Sequence, residues 1–290
     1  MSHAPPTENR SQGGGGRGEA PRQRTRERPD QGGSGRGEAP RQRARERPDM
    51  EKAARCGEPS YVWRAGQERR LAMIRDAVPE LGSARVLEIG CGVGRYVERL
   101  SPLARLVVGL EYDRDRAVEA AGRLDPPLVV NAANEHLPFP DGSFDVVLTN
   151  EVIEHVADDR VSAAEMVRVL SRGGRVVLFC PNRWYPVEQH GVYWRGSYRF
   201  GNAPLVNYLP DPLRNRLAPH VRAYTRRGLL RLFAGQPVQV VHHGRIFGGY
   251  DNIVARLGGP GKVLRRALQG AEGTPADVLG LSHFLVLERY

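Results

Sequence analysis

Apolar positions in this chain fall into short runs separated by stretches of helical spacing, the pattern of strands alternating with helices. Residues 85–89 form a short run rich in β-branched side chains, and residues 106–111, 128–130, 144–149 and 175–180 repeat it. Between them Tyr96, Val97 and Leu100 resume helical spacing, and residues 115–124 read as a further helix. Val161, Ala164, Val167 and Leu170 mark another, stopped by Gly173 and Gly174. Upstream, Tyr61, Trp63, Leu71, Ile74, Ala77 and Val78 predict a helix leading into the first strand. Downstream, a helix over 224–234 capped by Thr225, a strand over 238–242, a helix over 263–268 and a last strand over 283–287 are expected. The β-α-β-α-β order implies an α/β fold with a parallel sheet and right-handed crossovers.

The first strand runs into Gly90, Gly92 and Gly94 at alternate positions. Such a turn lets a ligand lie against the main chain, and the helix N-terminus beyond it offers unpaired N–H groups. Glu111 follows Gly90 by twenty-one residues, at the end of the second strand, where doubly wound folds place the acid that grips ribose hydroxyls. The crevice at the carboxyl ends of these strands is the expected ligand site. Tyr112 is positioned to lie on an adenine face, or to be an ordinary loop aromatic.

With Glu88, Gly90, Gly92 and Gly94 the turn resembles the first motif, E/D-x-G-x-G-x-G, of class I S-adenosylmethionine (SAM) dependent methyltransferases. The dinucleotide fingerprint would need its third glycine at position 95, which is Arg95. The resemblance implies a Rossmann-like fold with a seven-stranded, mostly parallel sheet whose last strand is antiparallel. It implies Glu88 at the cofactor's ammonium end and Glu111 at its ribose. Residues 134–150, with Leu-Pro-Phe-Pro-Asp-Gly-Ser-Phe-Asp at their centre, are similar to the type 11, ubiquinone-pathway-like branch. There an acid ahead of Leu-Pro-Phe contacts the adenine amino group; this chain has Ala133 at that register, leaving Asn134 or Glu135 to substitute.

Asn150, assigned to the cofactor, opens the string Asn-Glu-Val-Ile-Glu-His. If the string is helical, Glu151, Glu154 and His155 share one face at i, i+3 and i+4. Two carboxylates and an imidazole there can act as general base, hold a divalent metal, or serve structure alone. The string resembles that of metal-assisted small-RNA 2′-O-methyltransferases and of ubiquinone-pathway O-methyltransferases. Residues 183–222 then leave the minimal fold with Trp184, Tyr185, His190, Tyr193, Trp194, Tyr198, Phe200 and Tyr208 among basic residues and prolines. They read as a substrate lid, with a satellite core as the alternative. His190 is a candidate to join His155. Tyr61, Trp63 and Arg64 are a second lid candidate, against packing on the core.

Composition refines this picture at the N-terminus. The 290 residues are 40% hydrophobic, enough for one sizeable core, and carry a formal charge of +10. Residues 1–50 hold eleven arginines against seven acids and repeat a fifteen-residue unit at an offset of nineteen, with Ala44 for Thr25. Almost without aliphatic side chains, this segment is expected to be a disordered tail, either solvated or touching nucleic acid, ahead of a methyltransferase domain over 51–290. Cys56, Cys91 and Cys180 are too few and scattered for a disulfide framework, no run is long enough for a membrane span, and a cytoplasmic location is expected. The resulting expectation is a SAM-dependent methyltransferase acting on an oxygen of a small molecule. The rivals are a methyltransferase-like fold acting on RNA or as a binding module, and a NAD-dependent oxidoreductase.

Overall fold

The computed structural model describes residues 61–290, so the expected tail, its repeat and Cys56 lie outside the described residues. A first helix, α1 (Ala65–Ala77), leads into β1 (Arg85–Ile89), four of whose five residues are buried. The glycine turn and α2 (Arg95–Leu100) follow, then β2 (Leu106–Glu111), α3 (Arg114–Arg123), β3 (Val129–Asn131) and β4 (Phe144–Asn150). Next come α4 (Asp159–Val169) and the long strand β5 (Leu170–Pro181). Asp113 caps α3 by accepting from the Arg116 N–H, and Asp158 caps α4 by accepting from those of Arg160 and Val161.

Beyond β5 the chain forms two small antiparallel pairs. One joins β6 (Val187–Glu188) to β9 (Ala203–Pro204); the other joins β7 (Val192–Trp194) to β8 (Ser197–Arg199). Helices α5 (Asp211–Leu217) and α6 (Arg226–Leu232) lead to β10 (Val238–Ile246), and α6 carries the expected Thr225 cap. Then come α7 (Asp251–Leu257), α8 (Gly259–Gly270) and β11 (Ser282–Arg289). Seven strands make one sheet in the order β10-β11-β5-β4-β1-β2-β3, with β11 antiparallel to both neighbours and the pairs from β5 to β3 parallel. This is the expected class I architecture.

The central strands alternate between two apolar layers. Leu87, Ile89, Val147 and Leu178 face one cluster, and Val86, Leu148, Val177 and Phe179 face the other. Because both faces are covered, these strands read as continuous apolar runs. Two expected boundaries shift. Helix α4 ends at Val169 and the strand begins at Leu170, because Gly173 (φ 75°) sits in an irregular stretch where the β4–β5 register slips between Phe144 and Val146. The helix expected from residue 61 starts at Ala65, since Trp63 packs edge-on to Tyr96 at 4.8 Å. Among the described residues no helix is long and apolar enough to cross a membrane.

Leu148 is fully buried in the central strand, between α1 and α2 on its face. Leu148→Ala is expected to lower unfolding free energy by about 2–5 kcal/mol in urea titration, and a loss below about 1 kcal/mol would contradict this placement.

Candidate active site

A cavity of about 950 Å³ opens where the carboxyl ends of β1, β2 and β4 meet, large enough for a nucleotide-sized ligand with a second small molecule. Its floor is the glycine turn. Gly90, Gly92 and Gly94 all adopt positive φ, and Gly90 and Cys91 donate their N–H groups to the Leu110 carbonyl at 2.7 and 3.0 Å. A Cβ on Gly90 would meet Val152 Cγ2 at 2.3 Å, so the turn requires glycine on two counts.

Glu88 is 3% exposed, lines the cavity, and its Oε2 has no hydrogen-bond partner. Burial pushes its carboxyl well above the usual range, with the Glu111 charge adding to the effect. Glu111 holds the turn itself: Oε2 accepts from the Gly92 N–H at 2.8 Å and Oε1 from the Asp113 N–H at 2.9 Å. Each oxygen retains a second lone pair. Tyr112 lines the cavity and is exposed.

Of the two candidates for the missing acid, only one is free. Glu135 Oε1 accepts from the N–H groups of Ala157 and Asp158 at 2.7 and 3.2 Å, pinning the turn before α4. Asn134 is buried against the cavity and neither amide atom has a partner.

The string after β4 is not helical. Glu151 has φ 56°, its N–H continues the sheet by donating to the Phe179 carbonyl at 2.9 Å, and residues 152–157 turn irregularly until Asp158 starts α4. The shared helical face of Glu151, Glu154 and His155 therefore does not exist. Arg70 of α1 overrides the local pattern: it donates to Asn150 Oδ1, to Glu151 Oε1 at 2.6 Å and to Ser282 Oγ at 2.8 Å, while Ser282 Oγ also donates to Glu151. These ties hold Glu151 in the left-handed region, whose cost for a non-glycine residue is about 1–2 kcal/mol. Burial pushes the Glu151 carboxyl up, but Arg70, Ser282 and His190 outweigh it and leave it below its ordinary value.

Glu154 is buried with both oxygens unpaired, and burial, followed by the Glu151 charge, raises its carboxyl well above the usual range. Burial, with the neighbouring His190 and His220, pushes His155 down to about 3, so its imidazole is neutral. Its ring lies edge-on to His190, centroids 5.3 Å apart. A carboxyl oxygen of Glu154 and a ring nitrogen from each of His155 and His190 all lie within 4.8 Å of one another. The trio thus gathers His190 where the sequence suggested Glu151.

The 183–222 segment brings Gln189, His190, Tyr198 and Phe200 to the cavity. Trp184 lies beside Tyr208, both exposed and outside the cavity lining, whereas Tyr193 packs on His220 and on the cavity-lining Tyr198. Of the other lid candidates, Arg64 lines the cavity, whereas Tyr61 and Trp63 do not. Arg70, Ser282 and the Phe247–Gly249 stretch were not identifiable from sequence, because nothing in their local pattern distinguishes them.

Residues 87–178 match the family model described as methyltransferase domain. The match spans β1 to β5, the strands that carry the glycine turn. A probable S-adenosylmethionine-dependent methyltransferase of Mycolicibacterium smegmatis is 38% identical over 98 residues, 34% of this chain and 38% of that protein. A ubiquinone/menaquinone biosynthesis C-methyltransferase of Ralstonia nicotianae is 36% identical over 113 residues, covering 36% of this chain and 45% of the relative. The chain thus matches less than half the length of these relatives. In fold, the chain is similar to an S-adenosylmethionine dependent methyltransferase from Mesorhizobium loti, with TM-score 0.55, 18% identity, and coverage of 75% of this chain and 96% of that one.

The neutral His155 has a consequence for acid stability. The unfolded chain protonates this imidazole near its ordinary 6.5, whereas the folded domain resists until about 3, so its contribution is lost as pH falls between those values. Urea midpoints taken at about pH 7 and about pH 4 should fall more for wild type than for His155→Gln, and equal falls would contradict a buried neutral histidine.

Proposed function

We propose that the chain is an S-adenosylmethionine-dependent methyltransferase that methylates an oxygen of a small-molecule acceptor. The observation that carries this reading is the pair of unpartnered polar groups, Glu88 Oε2 and the Asn134 amide, facing one cavity across the glycine turn. A buried unsatisfied polar group costs about 1–3 kcal/mol, and a ligand that supplies the partner recovers it. The ammonium of an amino-acid moiety suits Glu88, which becomes ionised once the cation is beside it. An adenine edge, donor and acceptor side by side, suits the Asn134 amide. Glu111 has lone pairs left for ribose hydroxyls, Tyr112 offers a ring face, and Asn150 sits at the end of β4 beside them.

The bound cofactor supplies a methyl group on an activated sulfonium. The chain's own residues then have two tasks. The cavity walls hold the acceptor in line with that methyl, and orientation of this kind is worth effective molarities of roughly 10⁵ M or more. A neutral imidazole at the cavity takes the acceptor's proton, worth about 10²-fold or more. This second task supports oxygen as the acceptor atom, although the Ralstonia relative is named a C-methyltransferase. The small-molecule assignment draws on the cavity's volume of about 950 Å³; the basic residues 1–50 belong to a separate part of the chain.

A second reading is favoured by the trio of Glu154, His155 and His190, whose donor types suit a divalent cation. Calorimetric titration of the full chain with Mn²⁺ separates the two. The acid–base reading expects no binding heat; heat abolished by His155→Ala would establish the cation instead.

Asn134→Leu and Gly90→Ala are each expected to weaken SAM binding by roughly tenfold or more in calorimetry, the first by losing paired hydrogen bonds and the second by displacing the turn. Wild-type affinity in both would remove the cofactor assignment. With methyl-labelled SAM and a panel of phenols and catechols, methyl ethers are expected. Label on ring carbon would overturn the oxygen assignment, and transfer to RNA alone would favour the nucleic-acid alternative.

A further inference from the structure

Two charged side chains inside the 183–222 segment are almost wholly removed from water. Glu188 is 2% exposed and Arg214 is 3% exposed, and Arg214 Nη2 donates to Glu188 Oε2 at 2.8 Å. A buried ion pair is a weak source of stability, because desolvation offsets the attraction. What this one provides is geometry. Arg214 is fixed by its other donors, Nε to Asn207 Oδ1 at 3.1 Å and Nη1 to the Val221 carbonyl at 2.9 Å. Glu188 Oε1 then accepts twice from one residue, from the backbone N–H of His190 at 3.0 Å and from its ring Nδ1 at 2.9 Å. The His190 carbonyl is held in turn by Tyr198 Oη at 2.5 Å and His220 Nε2 at 3.0 Å. Glu188 thus accepts at both oxygens, from Arg214 on one and from the His190 backbone on the other.

Free neutral imidazole can carry its proton on either nitrogen, and the tautomer is set by whichever partner one nitrogen meets. With an acceptor-only carboxylate at Nδ1, the proton belongs there. The nitrogen left over is Nε2, on a ring that lines the cavity beside His155. We propose that Glu188, clamped by Arg214, is the positioning residue that fixes His190 as its Nδ1–H tautomer, with Nε2 as the proton acceptor for the hydroxyl being methylated. This rests on the methyltransferase reading above. In the step, the acceptor's O–H proton passes to His190 Nε2 and its oxygen forms the new O–CH₃ bond. The electron pair of the broken S–CH₃ bond stays on sulfur, and the imidazolium formed is stabilised by the Glu188 carboxylate. His155 lacks such a carboxylate partner: its Nδ1 has no hydrogen bond.

The test needs no methyl acceptor. In the ¹⁵N-histidine-labelled full chain at about pH 8, with chelator present, neutral His190 is expected to show a protonated Nδ1 and an unprotonated Nε2. In Glu188→Gln the charged Arg214 takes the amide oxygen, which turns the NH₂ group to the ring at the expense of the His190 N–H contact and moves the ring proton onto Nε2. The variant should therefore show the opposite tautomer, and diethyl pyrocarbonate, which attacks unprotonated imidazole nitrogen, should modify His190 roughly tenfold or more slowly than in wild type, mapped by peptide mass spectrometry. SAM affinity should be unchanged, a result that simple unfolding would not give. An Nε2–H tautomer in wild type overturns the proposal whether or not the variant folds, as does an unchanged tautomer and modification rate in a folded variant. Loss of SAM binding by wild type would instead remove the methyltransferase reading and leave the tautomer result standing.

Discussion

The guanidinium of Arg70 is the constraint on which the site depends. It leaves α1, passes 5.0 Å over the Phe179 ring, and ties the end of β4 to the start of β11 through Asn150, Glu151 and Ser282. Its charge keeps the buried Glu151 ionised, and that negative charge, added to burial, keeps the nearby Glu154 protonated. One half-buried cation thus shifts two carboxyl groups in opposite directions. Removing it would leave the half-buried Glu151 with Ser282 Oγ in place of a cation partner.

Arg214 repeats the device within the 183–222 segment. Each arginine holds a carboxylate, Arg70 in a half-buried pair and Arg214 in a fully buried one. Between them lie His155 and His190, the two imidazoles closest to the unpaired Glu154. The cofactor side is built differently, from main-chain geometry at Gly90 to Gly94, the Glu111 brace and the unpartnered atoms of Glu88 and Asn134. Rigid ion-paired walls on one side and an open polar cradle on the other suit a reaction whose main demand is alignment of two molecules.

Much of the fold was legible because its signals are local. Strand runs, the Gly90 turn, the Thr225 cap and the Glu111 position all depend on residues adjacent in sequence. The string from Glu151 to His155 was misread for the same reason: its spacing fits a helix face, and the residue that overrides it, Arg70, lies about eighty positions upstream. Choosing between Asn134 and Glu135 depended on Ala157 and Asp158, more than twenty positions on, whose N–H groups occupy the glutamate. Glu188 and Arg214, twenty-six positions apart in a segment without periodicity, carried no signal at all. His190 stood out as a candidate, but not the carboxylate that orients it.

The central claim is that the glycine turn, Glu88 and Asn134 form one nucleoside-and-amino-acid site. A crystal structure of the full chain with S-adenosylhomocysteine tests it most directly. The ligand is expected to lie along Gly90 to Gly94 with its ammonium on Glu88 and its adenine edge on the Asn134 amide. Binding outside this cavity, or a ligand whose two ends leave both Glu88 and Asn134 without a partner, would contradict it.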